Sequence, residues 1–121
     1  MTPLAWIGRW LVAFLLTQSV EMGVYANVPG SERPLRERLA IAFGASAITH
    51  PIVWFVITPL YGPLGLTWWQ AVAIAEAYAV GMEAIWLMFF GHRPIVAAGA
   101  AVIANSLSFG IGLFCYEYLG W

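Results

Sequence analysis

Three glutamates, Glu21, Glu76 and Glu83, interrupt the most apolar stretches of this chain. A charged side chain at the centre of a membrane helix costs roughly 2.5–3.5 kcal/mol on insertion scales. Acids kept there are rare, and they bind ions, relay protons or pair with other polar groups. Each acid has polar company at helical spacing. Gln18 precedes Glu21 by three residues and Tyr25 follows it by four, so the three share a face. Glu76 and Glu83 are seven residues apart and also share a face. Ser46, Thr49 and His50 fall at i, i+3 and i+4; Asn105 and Ser108 repeat the first two, with Phe109 in place of the histidine. Lipid offers no hydrogen bonds, so these stripes are expected to face one another inside a helical bundle. The candidate intramembrane polar cluster is therefore Glu21, Glu76, Glu83, Ser46, Thr49, His50, Asn105, Ser108 and Gln18.

Burial disfavours a charged carboxylate. At least one of the acids is expected to be neutral and to donate a hydrogen bond, with Ser46, Thr49 and Asn105 as the natural acceptors. Hydroxyl and amide side chains taken alone commonly hold membrane helices together, at about 0.6 kcal/mol per bond. A lone histidine such as His50 is often an ordinary core residue. Two or three buried glutamates exceed what such packing requires. A metal site would have to combine His50, Glu21 and Glu83, without any HxxxH, ExxH or CxxC spacing to support it, so no metal is expected. Cys115 is the single cysteine and reads as a small apolar helix residue. No nucleophile–base motif, glycine-rich phosphate loop or pair of haem-ligating histidines is present, which makes an enzyme the weaker reading. The sequence identifies no cofactor.

The elements that must position these residues are apolar helices. Of 121 residues, 62% are hydrophobic and only 9% charged, against about 25% charged in a soluble domain. A net charge of −1 with no basic stripe excludes a nucleic-acid partner. A crossing needs roughly 20 residues, and four stretches qualify, at 4–27, 39–60, 67–90 and 94–116. The fold class expected is all-α: a single transmembrane domain over 1–121, built as a four-helix membrane bundle. The first stretch carries Gln18 and Glu21 and lacks a small-x-small cleavage site, so it is read as part of the mature protein rather than as a signal peptide.

Short loops rich in Pro and Gly make neighbouring helices antiparallel. Arg33, Arg36, Arg38 and Arg93 fall in the first and third loops, against Arg9 alone at the other side. The positive-inside rule then puts those loops in the cytoplasm and both termini outside, in a bacterial or archaeal inner membrane. Trp6, Trp10, Trp68, Trp69 and Trp121 gather at the opposite face as an aromatic belt.

The two halves also align, as tandem parallel hairpin repeats over 1–62 and 63–121. Val20-Glu21 matches Met82-Glu83, and the run from Ala45 to Pro51 (ASAITHP) matches that from Ala104 to Gly110 (ANSLSFG). Polar positions match as well as apolar ones. Pro51 and Gly110 are the expected helix breaks, and corresponding weak points beside corresponding polar groups point to a site near the membrane midplane. The sequence is thus read as a small oligomeric transporter or channel for a cation, proton or small polar solute, using its intramembrane glutamates. Two alternatives stand: a non-catalytic subunit or scaffold of a larger membrane complex, and an intramembrane enzyme or lipid- or cofactor-binding module. The partners implied are membrane lipid and either further copies of the chain or the subunits of a complex.

Overall fold

The computed structural model describes residues 2–120, and Trp121 of the expected belt lies outside them. Four helices make up the fold, and no strand occurs among the described residues. They are α1 (Pro3–Tyr25), α2 (Leu35–Ile52), α3 (Trp68–Phe89) and α4 (Pro94–Leu119). Their ends follow local chemistry. Thr2 accepts a hydrogen bond from the Ala5 N–H at 3.1 Å ahead of Pro3, which has no N–H to leave unpaired. Thr67 and Gln70 close a reciprocal capping box at the start of α3. Pro34 caps α2, so that helix begins four residues earlier than its apolar run. Gly91, with φ +96°, makes the left-handed turn that allows α4 to follow α3 after only a few residues.

α2 does not end at Pro51. The helix passes through it to Ile52, opens into a π-helical turn over Val53–Ile57, and tightens into a 3₁₀ turn over Thr58–Leu60. Pro51 supplies no N–H to the carbonyl one turn back, and such a defect is a common origin of π-type irregularity. The Thr58 hydroxyl then donates to the Val53 carbonyl at 2.8 Å. The break expected at Gly110 does not form. α4 runs unbroken through Gly110 and Gly112 to Leu119. Glycine permits a bend but removes no hydrogen bond, whereas proline removes one.

The segment Leu35–Leu60, α3 and α4 are each long and apolar enough to cross a membrane, and the chain is consistent with an integral membrane protein. α1 is not among these three, its apolar run being interrupted by Arg9, Gln18 and Glu21. The outer surface is apolar: Leu15, Ile74, Ile85, Ile103 and Phe114 all lie exposed on helix faces.

Each helix packs on two others, in the pairs α1–α2, α2–α3, α3–α4 and α4–α1. Small residues line the inside. Ala42, Ala45, Ser46 and Thr49 are buried on α2, and Ala101, Ala104, Asn105 and Ser108 are buried on α4 at the same spacing. Such residues let helix backbones approach closely, which is how packing is gained where lipid removes the hydrophobic driving force. Close approach is seen at Gly44, where an added Cβ would lie 2.6 Å from the Trp86 ring. The Trp86 indole N–H donates to the Ile41 carbonyl at 2.9 Å, which fixes the ring across α2.

Gly44→Ala should therefore force Trp86 out of its seat and destabilise the protein by about 1–3 kcal/mol, the usual cost of overpacking. Gly99→Ala, at a position with open space around it, should be tolerated. Thermal unfolding in detergent compares the two. Equal melting temperatures would show that the Trp86–Gly44 contact does not hold α2 against α3.

Candidate functional site

Glu21 on α1 and Glu83 on α3 are each 1% exposed. They occupy the interior together as neighbours, bonded to paired residues one turn apart on α2 and on α4. The flanking helices α2 and α4 supply the donors. Glu21 accepts from the Ser108 hydroxyl at 2.8 Å and from the Ser46 hydroxyl. Glu83 accepts from the Thr49 hydroxyl at 2.7 Å and from the Asn105 side-chain amide. The Tyr25 hydroxyl adds a third bond to Glu83 at 2.7 Å. Each carboxyl is thus held by α2 and α4 at once, and all four helices meet at the pair.

The hydrogen bonds have an internal correspondence. If Glu21 is exchanged with Glu83, Ser46 with Asn105 and Thr49 with Ser108, the bond Glu21–Ser46 becomes Glu83–Asn105, and Glu21–Ser108 becomes Glu83–Thr49. The exchange uses the residue pairs that align between the two halves of the sequence. Tyr25 stands outside it, since the position matching it on α3 is Leu87, an apolar residue that is also buried.

Among the described residues no cation answers the two acids. Arg9, Arg33, Arg36 and Arg93 are exposed, and Arg38 donates to the backbone carbonyls of Ala26 and Arg33. The ion pair found among the described residues joins Arg33 to Glu37 at 3.5 Å, on the surface. A site of this composition can hold protons or present carboxyl oxygens to a positive guest. Two net negative charges side by side in an apolar interior are too costly to persist unpaired.

Three of the residues expected in the cluster lie apart from its carboxyl bonds. Glu76 is half-buried on α3 and makes none of them. His50 is half-buried among aromatic rings, with Phe14 at 5.6 Å and a stacked Trp54 at 6.3 Å between centroids, and its Nδ1 has no partner. Gln18 is buried beside Glu21 on α1, but its Nε2 donates to the Phe43 carbonyl at 3.0 Å and its Oε1 has no partner. Among the described residues no group of three or more His, Cys, Asp or Glu is placed to hold a metal, so His50 does not join Glu21 and Glu83 as a ligand set. Trp10 packs on Phe14 of its own helix and on Phe55 of the π-helical turn after α2, and Trp6 packs on Trp54 of that turn. An apolar groove of about 230 Å³ between α2 and α3, lined by Ile48, Met82, Trp86 and Phe89, also touches Thr49, the Glu83 partner.

The role of Tyr25 was legible only as spacing. It sits one turn after Glu21, yet it serves the other carboxyl, across the interior. Compared with protein-family models, curated proteins and solved structures, the chain matches none. Its residues therefore have to carry the functional reading.

Loss of one hydrogen bond between membrane helices costs about 0.6 kcal/mol on average. Tyr25→Phe and Ser46→Ala should each cost about that much. Tyr25→Phe and Thr49→Val remove donors from the same carboxyl, so the pair should be non-additive by about 0.5 kcal/mol or more. Tyr25→Phe with Ser46→Ala, on different carboxyls, should come closer to the sum. Unfolding titrations of the single and double variants measure both cycles, and equal coupling in the two would contradict the assignment of donors to acids.

Proposed function

We propose that this chain is a four-span membrane protein in which the Glu21–Glu83 pair is the working centre of a small transporter or channel, oligomeric in the membrane, that passes a proton or cation. The observation that carries the reading is the pair itself: two adjacent carboxyls, fully buried, with no basic side chain beside them. Helix packing alone does not call for acids, because Ser, Thr and Asn make interhelical bonds without the cost of a buried ionisable group. The sealed interior of one four-helix body favours a pathway that involves neighbouring copies.

The hydrogen bonds also support a fourth crossing. Glu21 and Tyr25 bind side chains on α2, α3 and α4, so α1 shares the depth of three helices able to span. With four crossings the arginine-rich loops share one side, cytoplasmic by the positive-inside rule, and both termini lie outside. The exchange of hydrogen-bond partners between the halves supports tandem hairpin repeats related by an axis along the membrane normal.

A second reading, a subunit that packs into a larger membrane complex, is favoured by the apolar outer surface together with the saturation of both carboxyls by donors.

Topology is tested by labelling single cysteines in a Cys115→Ala background. A cysteine at position 32 should be protected from an impermeant reagent added outside and react once the membrane is opened. Reaction from outside would reverse the orientation. Function is tested with Glu83→Gln, which removes the ionisable group and keeps shape and hydrogen bonding. The variant should assemble like wild type and lose proton or cation flux in liposomes. Full flux in Glu83→Gln would remove Glu83 from the mechanism, and a wild-type protein without flux, recovered only with other subunits, would favour the complex-subunit reading.

A further inference from the structure

We infer that the species handled at the pair is a proton, shared between Glu21 and Glu83, and that the Thr49 and Ser108 hydroxyls are switches that turn with it. This inference rests on the reading of the pair as the working centre and names what it carries.

The argument is a count of hydrogens. A hydroxyl has one hydrogen to donate and lone pairs with which to accept. The Thr49 hydroxyl lies 2.7 Å from Glu83 Oε1 and 3.2 Å from the Ala45 carbonyl of its own helix. The Ser108 hydroxyl lies 2.8 Å from Glu21 Oε1 and 3.2 Å from the Asn105 carbonyl of its own helix. Each therefore has two acceptors in reach and one hydrogen. When the carboxylate is charged, the hydroxyl donates to it. When the acid carries a proton on Oε1, the acid donates to the hydroxyl oxygen and the hydroxyl hydrogen turns to the helix carbonyl. Neither state leaves a buried group without a partner.

The other donors stay fixed. Tyr25 and Asn105 remain on Glu83 Oε2, and Ser46 remains on Glu21 Oε2. Transfer is then balanced: Glu21 carboxylic acid and Glu83 carboxylate become Glu21 carboxylate and Glu83 carboxylic acid, one proton moves, and the two hydroxyls turn in opposite senses.

A metal cation fits these groups less well. Such an ion needs oxygen lone pairs directed at it, whereas the cluster turns hydroxyl and amide hydrogens toward the acids. The Asn105 amide nitrogen faces two acceptors, Glu83 Oε2 and the Ala101 carbonyl at 2.9 Å, so its NH₂ is the group on the site side. Outside these bonds Gln18 leaves a buried acceptor near the pair without a donor. Gln18 is 4% exposed, faces inward one turn from Glu21, and has Oε1 without a donor, a place where a water molecule could deliver a hydrogen. The other titratable groups nearby are Tyr25 on α1 and Glu76 on α3. α4 presents only amide and hydroxyl groups to the pair, and the one titratable group on the adjoining turn of α2, His50, is packed among aromatic rings.

Infrared spectroscopy of the protein in lipid bilayers reads the proton without requiring transport. Wild type at neutral pH should show the C=O stretch of a protonated carboxylic acid, and Glu21→Gln with Glu83→Gln should abolish it. Thr49→Val and Ser108→Ala should shift that band to higher frequency, as a donated hydrogen bond is lost, and should lower proton flux about tenfold. Thr49→Ser should restore both and shows that the site still folds. Absence of the protonated band, or a band indifferent to both hydroxyl removals, overturns the inference. A metal-cation flux with no protonated band would overturn it while leaving the transport reading intact. A responsive band in a protein without flux would do the reverse.

Discussion

Glu21 and Glu83 are acids held in an apolar interior with no cation to answer them, and much of the packing serves that condition. Buried carboxyl oxygens must be given donors or they are unaffordable. Donors on α1 and α3 alone would not suffice, so α2 and α4 each contribute two, at i and i+3. The stripes that carry them are otherwise alanine, because a larger side chain there would hold the helices apart and lengthen every bond. The acids therefore dictate the small residues at 42, 45, 101 and 104, and the small residues dictate how closely the four helices approach. Trp86 seated on Gly44 secures that approach from the rim, where α3 meets α2.

The helical character and the apolar length of three segments were legible because they depend only on composition and period. The polar stripes were legible for a related reason: Ser46 with Thr49, and Asn105 with Ser108, share a helix face whatever lies opposite. Partner choice was not legible. Tyr25 reaches Glu83 and not its helical neighbour Glu21 because the rotation of α1 against α3 decides it, and no spacing within α1 encodes that rotation. Glu76 shows the limit of a seven-residue spacing. It follows the face of Glu83, but a heptad drifts by about 20° on a straight helix, and at its level α2 has passed from Ser46 and Thr49 into the aromatic and π-helical stretch. The Thr58 hydroxyl of that stretch donates instead to the Val53 carbonyl. His50 continues the spacing of Ser46 and Thr49, yet Phe14 and Trp54 enclose its ring.

The two helix irregularities separate what a residue allows from what it compels. Pro51 and Gly110 hold equivalent places in the aligned halves, and only the proline changes the backbone. The consequence is local to α2, where the π turn resets the faces of the residues that follow it and brings Trp54 against His50 and Trp6. α4, unbroken, carries its small-residue stripe straight past the pair.

These differences fall in a pattern along the axis of the molecule. At the level of the carboxyls the halves agree, position for position: Glu21 with Glu83, Ser46 with Asn105, Thr49 with Ser108. They part on either side. Toward the arginine-rich loops, Tyr25 faces the interior where the other half has Leu87. Toward the opposite end, His50 and Pro51 stand where the other half has Phe109 and Gly110. The matched bonds from α2 and α4 treat the two carboxyls alike, and the Tyr25 hydroxyl, which bonds Glu83 alone, makes them unequal. Unlike flanks make the two ends of the molecule different environments for whatever approaches. The agreement at the centre and the differences beside it are read from one alignment of the two halves: Ser46 and Thr49 have polar counterparts in Asn105 and Ser108, while Tyr25 and His50 have apolar ones in Leu87 and Phe109.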